Sequence, residues 1–155
     1  RLNRSALDEI RTLLTEFRPA AIIDATMGAL LGDLVKRIRP LTDIATSLEI
    51  ACDGRLPEDV HLNFYRIAQE CLNNVMKHSG ASQVHVFFDS TGRRAILTVE
   101  DNGAGFDPMI GRAGGMGLTI MRERAARAGL GLEIESADGR GTRITLIWEE
   151  GRDDD

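Results

Sequence analysis

One short segment of the sequence, Glu70–His78, carries a carboxylate, an amide and two basic side chains at helical spacing. At 100° per residue on an α-helix, Glu70, Asn74 and Lys77 fall within about 60° of one another. His78 lies at the edge of that stripe. Such a set can hold a hard cation and a phosphate together, because Mg²⁺ takes oxygen ligands from one or two side chains plus substrate phosphates. A solvated helix face with an i,i+4 network is the alternative.

A second candidate site is the run Asp101–Phe106 (DNGAGF), which directly follows an apolar strand pattern. Glycines spaced by two let the backbone approach a ligand, while the carboxylate accepts from an N–H donor such as the exocyclic amine of adenine. Plain turns use the same residues, and so does the acid-and-glycine strand end of methyltransferases that bind S-adenosylmethionine. The methyltransferase pattern normally runs straight into a helix, which Pro108 and the glycines after it fit poorly.

A glycine-rich stretch leads into a helical pattern that begins near Leu118. Glycines before a helix N-terminus expose free N–H groups to an anion, and a loop of this kind can act as a lid or as a simple connection. The sequence has no G-x-G-x-x-G in a βαβ unit and no Walker A lysine, which excludes Rossmann and P-loop sites. A further run, Gly139–Thr142 (GRGT), is by itself typical of a hairpin. The glycines of the stretch are Gly111, Gly114, Gly115 and Gly117.

Apolar periodicities predict the elements that must position these groups. Helices are expected over residues 1–18, Met27–Ile38, Pro57–His78 and Leu118–Ala128, and strands over Thr46–Cys52, Gln83–Phe88, Ala95–Glu100, Leu132–Ser136 and Arg143–Trp148. Strands and helices do not alternate strictly, and the last four strands come mostly as hairpin pairs. The sequence therefore predicts an α+β fold, a two-layer sandwich of a mixed or antiparallel sheet with helices on one face.

The composition sets limits on the function. The 155 residues are 43% hydrophobic and 28% charged, which indicates one soluble globular domain, and the net charge of −5 argues against a basic nucleic-acid or membrane surface. Two cysteines are too few for a disulfide scaffold, and the apolar neighbours of Cys52 and Cys71 predict two buried thiols in a reducing compartment. The sequence shows no signal peptide and no apolar run long enough to cross a membrane.

In this order, the four runs resemble the nucleotide-binding boxes of the GHKL ATPases, the superfamily of DNA gyrase B, Hsp90, MutL and the sensor histidine kinases. The similarity is greatest to kinases of the nitrate-sensor type, whose helix box reads roughly R-I-x-Q-E-x-L-x-N-x-x-K-H, against Arg66–His78 here. The boxes D-N-G-x-G-F, G-x-G-L-x-x-M-R-E-R and G-x-G-T are matched by Asp101–Phe106, Gly115–Arg124 and Gly139–Thr142. Phe17–Pro19 resembles the L-R-P that closes the family's dimerisation helices. The resemblance covers nearly the whole chain and implies the GHKL (Bergerat) sandwich.

The resemblance implies roles for the residues of the helix box. Asn74 would coordinate Mg²⁺ between the phosphates of ATP. Glu70 beside it would polarise the metal's water or act as a base. Lys77 and His78 would contact phosphates.

The resemblance also implies how the rest of the nucleotide is held. Asp101 would bind the adenine amine, helped by Thr142 through water. The backbone of the lid would close over ATP at Gly103, Gly105, Gly115, Met116, Gly117 and Leu118.

Two features depart from the family pattern. Met116 stands where relatives often carry histidine and Ile120 where glycine is usual, so different lid contacts are expected. The family's phosphate-accepting histidine lies on the first dimerisation helix, whereas His61, His78 and His85 all follow residue 60. The chain is therefore expected to hold the ATP-binding part without its acceptor, and to be unable to autophosphorylate alone.

The predicted organisation is the end of a dimerisation helix over residues 1–20, a GHKL ATP-binding catalytic domain over residues 21–150 and a disordered acidic tail over residues 151–155. The implied function is that of a two-component sensor histidine kinase, which transfers the ATP γ-phosphate to a histidine outside this chain for relay to a response regulator. The implied location is cytoplasmic, in a homodimeric parent joined through the N-terminal helix, with no nucleic acid or membrane contact in this segment. Two alternatives remain: another GHKL ATPase, such as a serine kinase acting on an anti-sigma factor, and a non-catalytic nucleotide-binding or interaction module.

Overall fold

The computed structural model describes residues 19–107 and 115–151 of the protein. The predicted helix over residues 1–18 and the tail beyond Gly151 lie outside the described residues. In chain order the elements are α1 (Pro19–Asp24), α2 (Met27–Ile38), a 3₁₀ turn (Arg39–Leu41), β1 (Ala45–Asp53), α3 (Glu58–Asn74), a π-helical turn (Val75–Ser79), β2 (Gln83–Ser90), β3 (Arg94–Asp101), α4 (Gly115–Arg127), β4 (Gly131–Ser136) and β5 (Thr142–Glu149).

The five strands form one mixed sheet in the order β1-β2-β3-β5-β4. The β1–β2 pair is parallel, and the other three pairs are antiparallel. The register of β3 and β5 places Asp101 opposite Thr142, so the last residue of one strand lies beside the first residue of the next strand in the sheet. The α+β prediction is confirmed, and the register already brings two of the predicted site residues together.

The helices cover one face of the sheet, and the core lies between the two layers. The inward residues of β2, such as Val86 and Phe88, are fully buried, and Phe88 meets Phe64 of α3 edge to face, with ring centroids 6.2 Å apart. Alternate residues of β2 and β3 are buried, as the period of a half-buried strand requires. The apolar stripe of α2 packs into the same core: Met27, Leu30, Leu31, Leu34, Val35 and Ile38 are buried.

Helix α1 is absent from the sequence prediction, which took helical structure to resume only at Met27. Pro19 suits the first turn of a helix, where its missing N–H costs nothing. The helix is held by Ile22, which lies in the core with 4% of its surface exposed. The buried His61 of α3 donates from Nε2 to the Ile22 carbonyl at 2.9 Å. The hydrogen bond between His61 and Ile22 joins residues that are far apart in the sequence, which explains why local periodicity does not reveal α1.

The prediction that both thiols are buried is wrong for Cys52, which is exposed, and correct for Cys71. Strand β1 lies at an edge of the sheet, and its pairing with β2 shifts register between Ile50 and Asp53. The inward and outward alternation of β1 is lost there, so Cys52 does not reach the core. Within the described ranges, no helix combines the length and apolar character needed to cross a membrane.

Candidate nucleotide site at the ends of α3 and β3

The end of α3 departs from the expected α-helix. The chain is α-helical to Asn74 and then makes a π-helical turn over Val75–Ser79, which ends at Gly80 with φ 62°. The Ser79 hydroxyl donates to the Val75 carbonyl and accepts from the Ala81 N–H at 3.1 Å. Turns of this kind are rare and occur frequently at functional sites.

The wider turn changes the directions in which the two basic side chains, Lys77 and His78, leave the helix. The even 100° spacing placed Lys77 on the Glu70–Asn74 stripe and His78 at its edge, but a π turn advances each residue by a smaller angle. In the structure both basic side chains are exposed; His78 lines a cleft together with Asn74, and Lys77 is not among the residues that line it. The sequence analysis assigned phosphate contacts to both side chains, and of the two it is His78 that lines this cleft.

Asp101 is the buried acid of the site, with 8% of its surface exposed. Its Oδ1 accepts from the Gly103 N–H at 2.8 Å, and the Thr142 N–H also donates to the carboxylate. Burial raises the pKa of Asp101 above its ordinary value of 3.8, while the two N–H donors oppose that rise and the neighbouring Glu100 adds to it. The carboxylate is thus fixed in direction before any ligand arrives.

The loop after Asp101 is fastened to the start of β2. The Asn102 amide oxygen accepts from the Ser82 and Gln83 N–H groups, both at 2.9 Å, and its amide nitrogen donates to the Ser82 hydroxyl at 2.9 Å. The Ala104 N–H donates to the Ser79 carbonyl at 2.7 Å. The loop that carries the buried acid is therefore tied directly to the π turn.

Gly103 and Gly105 are required by protein packing. A Cβ at Gly103 would collide with the Ser79 carbonyl oxygen. A Cβ at Gly105, where φ is 65°, would collide with the Ala137 carbonyl oxygen and lie 2.8 Å from that of Gly141. The sequence assigned these glycines to a lid that closes over a ligand; in the structure their missing side chains let three backbone segments meet.

Ser136, at the end of β4, connects two segments of the site. One is the loop that follows Asp101, here called the acid loop, and the other is the turn between β4 and β5, here called the hairpin. Its Oγ accepts from the Phe106 N–H at 2.9 Å and donates to the Gly141 carbonyl at 2.9 Å. The same oxygen lies 2.9 Å from Thr142 Oγ1. Ser136 thus contacts the acid loop, the hairpin and the threonine of the site at once.

Glu70 and Asn74 come together beneath the first turn of α4. A Cβ at Gly117 would collide with Glu70 Oε1 and lie 3.1 Å from Asn74 Oδ1, so both side-chain oxygens lie against the backbone of α4 at this glycine. Among the described residues, no group of three or more His, Cys, Asp or Glu side chains forms a metal cage. One carboxylate and one amide oxygen fit Mg²⁺, which normally completes its shell with water and substrate phosphates.

One cleft gathers six of the predicted site residues. It opens between α3, β3, α4 and β5, and Cys71 lies in its wall, where burial raises the pKa of the thiol and keeps it protonated. Four of the other predicted residues do not line it: Glu70, Lys77, Gly103 and Gly117. The predicted residues that do line it are Asn74, His78, Asp101, Gly105, Leu118 and Thr142.

The sequence analysis assigned no role to three residues that hold the site together, namely Ser79, Asn102 and Ser136. Each acts through hydrogen bonds to backbone groups distant in sequence, such as that from Phe106 to Ser136. The D-N-G run did include Asn102, and asparagine before a glycine is a recognised turn signal. No local pattern points to Ser136.

Asp101 is expected to make both folding and ligand binding depend on pH. Its folded pKa lies above its unfolded value, so between the two values the folded state binds the additional proton. The free energy of unfolding, compared with that of Asp101→Asn, should therefore rise as the pH falls from neutrality through the raised pKa, as measured by urea unfolding at a series of pH values. Affinity for an amine donor should fall over the same range, and an unchanged difference between the two proteins would contradict the assignment.

Comparison with known proteins places this site in a family. The model of the "Histidine kinase-, DNA gyrase B-, and HSP90-like ATPase" family matches residues 59–152. The match covers more than half of the chain and includes α3, the acid loop and the hairpin. The chain therefore belongs to this family.

Curated relatives narrow the class within the family. The chain is 38% identical over 147 residues to the sensor histidine kinase MctS of Rhizobium johnstonii, with 92% of this chain and 32% of the relative covered. It is 34% identical over 141 residues to the sensor histidine kinase LiaS of Bacillus subtilis, with 91% of this chain and 39% of the relative covered. The chain spans about a third of the length of these relatives. The prediction of a histidine-kinase-type ATP-binding domain is confirmed.

Solved structures agree on the fold. The blue-light activated histidine kinase EL346 of Erythrobacter litoralis matches 94% of this chain and 48% of its own with a TM-score of 0.71 at 20% identity. The ATP binding domain of PrrB from Mycobacterium tuberculosis matches 81% of this chain and 95% of its own with a TM-score of 0.62 at 19% identity. At these identities the likeness concerns the fold alone.

Proposed function

We propose that the chain is the catalytic domain of a two-component sensor histidine kinase, which binds Mg²⁺ and ATP and transfers the γ-phosphate to a histidine on a dimerisation helix outside this chain. The observation that carries this proposal is the convergence of Asp101, Thr142, Asn74 and His78 on one cleft. In this proposal Asp101, the buried acid, binds the base, and Asn74 and His78 are the groups suited to metal and phosphates.

At the acid end, the chain offers hydrogen-bond acceptors to an adenine ring. The Asp101 carboxylate is held by two N–H donors and keeps acceptor capacity for an exocyclic amine. Val99, Ile144 and Leu118 supply apolar walls to the same cleft. A flat aromatic base with one amine fits this combination of apolar surface and fixed acceptors.

At the phosphate end, the chain offers oxygen ligands, a basic side chain and a helix terminus. Asn74 Oδ1 and the Glu70 carboxylate would hold Mg²⁺, which when bound supplies charge neutralisation for the triphosphate. His78 would donate a hydrogen bond to a phosphate oxygen from the cleft wall, and Leu118 in the first turn of α4 lines the same cleft. Phosphoryl transfer depends mainly on positioning and charge neutralisation, and these groups supply both.

The implied partners belong to this proposal. The acceptor histidine would lie on a dimerisation helix outside this chain, which would also join the homodimer, and the phosphorylated histidine would then donate its phosphate to a response regulator in the cytoplasm. The likeness to MctS and LiaS, named sensor histidine kinases, supports this organisation.

Phosphate transfer tests the proposal directly. Incubated with γ-labelled ATP and Mg²⁺, the chain alone is expected to gain no acid-labile phosphohistidine, because none of its three histidines belongs to an acceptor helix. Supplied in trans, the histidine-bearing dimerisation segment of the longer protein should become labelled. Label on His61, His78 or His85 of the chain alone would contradict the prediction, and binding of ATP without transfer in trans would favour a non-catalytic module.

A further inference from the structure

We infer that Ser136 is a positioning residue for base recognition: it fixes the Thr142 hydroxyl as a hydrogen-bond acceptor, so that the site requires a donor on the base. This inference rests on the proposed ATP-binding function and concerns a residue outside the four motifs. Ser136 precedes the G-x-G-T run and has no place in the residues that the family pattern assigns.

The hydrogen-bond capacity of the Ser136 hydroxyl determines the direction of each bond. A serine hydroxyl has one proton to donate and two lone pairs to accept with. The Phe106 N–H occupies one lone pair at 2.9 Å, and the proton goes to the Gly141 carbonyl at 2.9 Å. Only one lone pair then remains for the contact with Thr142 Oγ1 at 2.9 Å.

Thr142 must therefore donate its hydroxyl proton to Ser136. The opposite direction would take the Ser136 proton away from the Gly141 carbonyl, whose residue is buried, and a buried acceptor without its partner is costly. With its proton committed to Ser136, Thr142 Oγ1 offers only lone pairs to the cleft that it lines.

Asp101 and Thr142 then both act only as hydrogen-bond acceptors toward a ligand. The Asp101 carboxylate accepts from the Gly103 and Thr142 N–H groups and has no proton of its own when ionised. Two neighbouring acceptors favour a ligand with an N–H donor, directly or through a bridging water. Ser136 adds to this selection without reaching the base, because it removes the one hydroxyl proton that could satisfy a ligand acceptor.

The test compares ATP with purine riboside triphosphate, which lacks the exocyclic amine and keeps the ring and the phosphates. The measured quantity is the ratio of the two dissociation constants for the full chain, with Mg²⁺ present. In Ser136→Ala, the freed Thr142 hydroxyl can rotate and donate, so the preference for ATP should fall about 3- to 10-fold. A merely structural role for Ser136 would weaken both ligands equally and leave the ratio unchanged, which would overturn the inference.

Three variants complete the design. In a Thr142→Val background, Ser136→Ala should change the ratio no further, because Ser136 acts through the threonine hydroxyl; a full additional effect would overturn the inference. Ser136→Cys keeps nearly the same volume with a weak donor and acceptor, and it should lower the ratio in the same direction even if the alanine variant does not fold. Ser90→Ala is the matched control: its hydroxyl is buried, accepts from the Gly92 N–H at 3.2 Å, and lies away from the cleft, so its ratio should equal that of the unmodified chain.

Failure of this inference is distinguishable from failure of the proposed function. An unmodified chain that binds neither nucleotide would contradict the function itself. If the unmodified chain prefers ATP and the Ser136→Ala variant shows the same ratio of dissociation constants as the unmodified chain, only the role of Ser136 is overturned.

Discussion

Asn74→Ala is expected to remove the Mg²⁺ dependence of ATP binding and to weaken the affinity measured with Mg²⁺ by about 10- to 100-fold. The reason is the loss of the amide oxygen that lies against Gly117 beside Glu70, which is one of the two side-chain oxygens proposed to bind the cation. Calorimetric titration with ATP, in Mg²⁺ and in excess chelator, measures both quantities. Alanine favours the helix more than asparagine does, so the variant should stay folded.

The neighbouring asparagine supplies a matched control for this experiment. Asn73 is half-buried like Asn74 but points about 100° away around α3 and does not line the cleft. Asn73→Ala should leave the gain in affinity from Mg²⁺ unchanged. If Asn74→Ala retained that gain, or if Asn73→Ala lost it, the assignment of the cation to this face of α3 would be wrong.

Gly105→Ala is expected to lower the free energy of unfolding by about 2 to 5 kcal/mol and to abolish ATP binding. Two costs combine at this position: the left-handed backbone at φ 65° and the collision of a Cβ with the Ala137 carbonyl oxygen. Relief of the collision requires the acid loop to move away from the hairpin, which breaks the bond from Phe106 to Ser136. Urea unfolding measures the stability, and titration with ATP measures the site.

Gly139 separates these two costs. Its φ is 77°, but a Cβ there would meet nothing within 4 Å. Gly139→Ala should therefore cost only about 1 to 2 kcal/mol, the penalty of the left-handed conformation, and should preserve ATP binding. Equal losses for both variants would show that the close approach of the loop and the hairpin does not matter for stability.

The sequence predicted the sheet and the principal helices because these follow from repeating apolar patterns. Val84, Val86 and Phe88 alternate as a half-buried strand must, and the stripe of α2 recurs at the helical period. The same reasoning failed where a long-range contact decides the structure, as in α1, which depends on the bond from His61 to Ile22. It failed again for Cys52, because a register shift at an edge strand leaves no trace in local composition.

For the candidate site, the order of the motifs pointed to the candidate residues, but the geometry of regular helices and strands did not predict all of their positions. Asp101 and Thr142 are opposite each other across the β3–β5 pair, which any correct register would show. The chain makes a π turn after Asn74, which changes the directions of Lys77 and His78 from those of a regular helix, and the sequence carries no clear signal for that turn. The hydrogen bonds of Ser136 depend on three segments meeting, so they become visible only in the folded molecule.

The bond between His61 and Ile22 has a mechanical consequence. Ile22 of α1 is seated in the core, and His61 belongs to the same helix, α3, that carries Glu70 and Asn74 further along. The chain at Pro19 cannot move independently of the domain, since such a movement must first remove Ile22 from the core and break a buried hydrogen bond. Helix α1 is therefore mechanically coupled to α3, the helix that carries Glu70 and Asn74, and a displacement at Pro19 is transmitted to it.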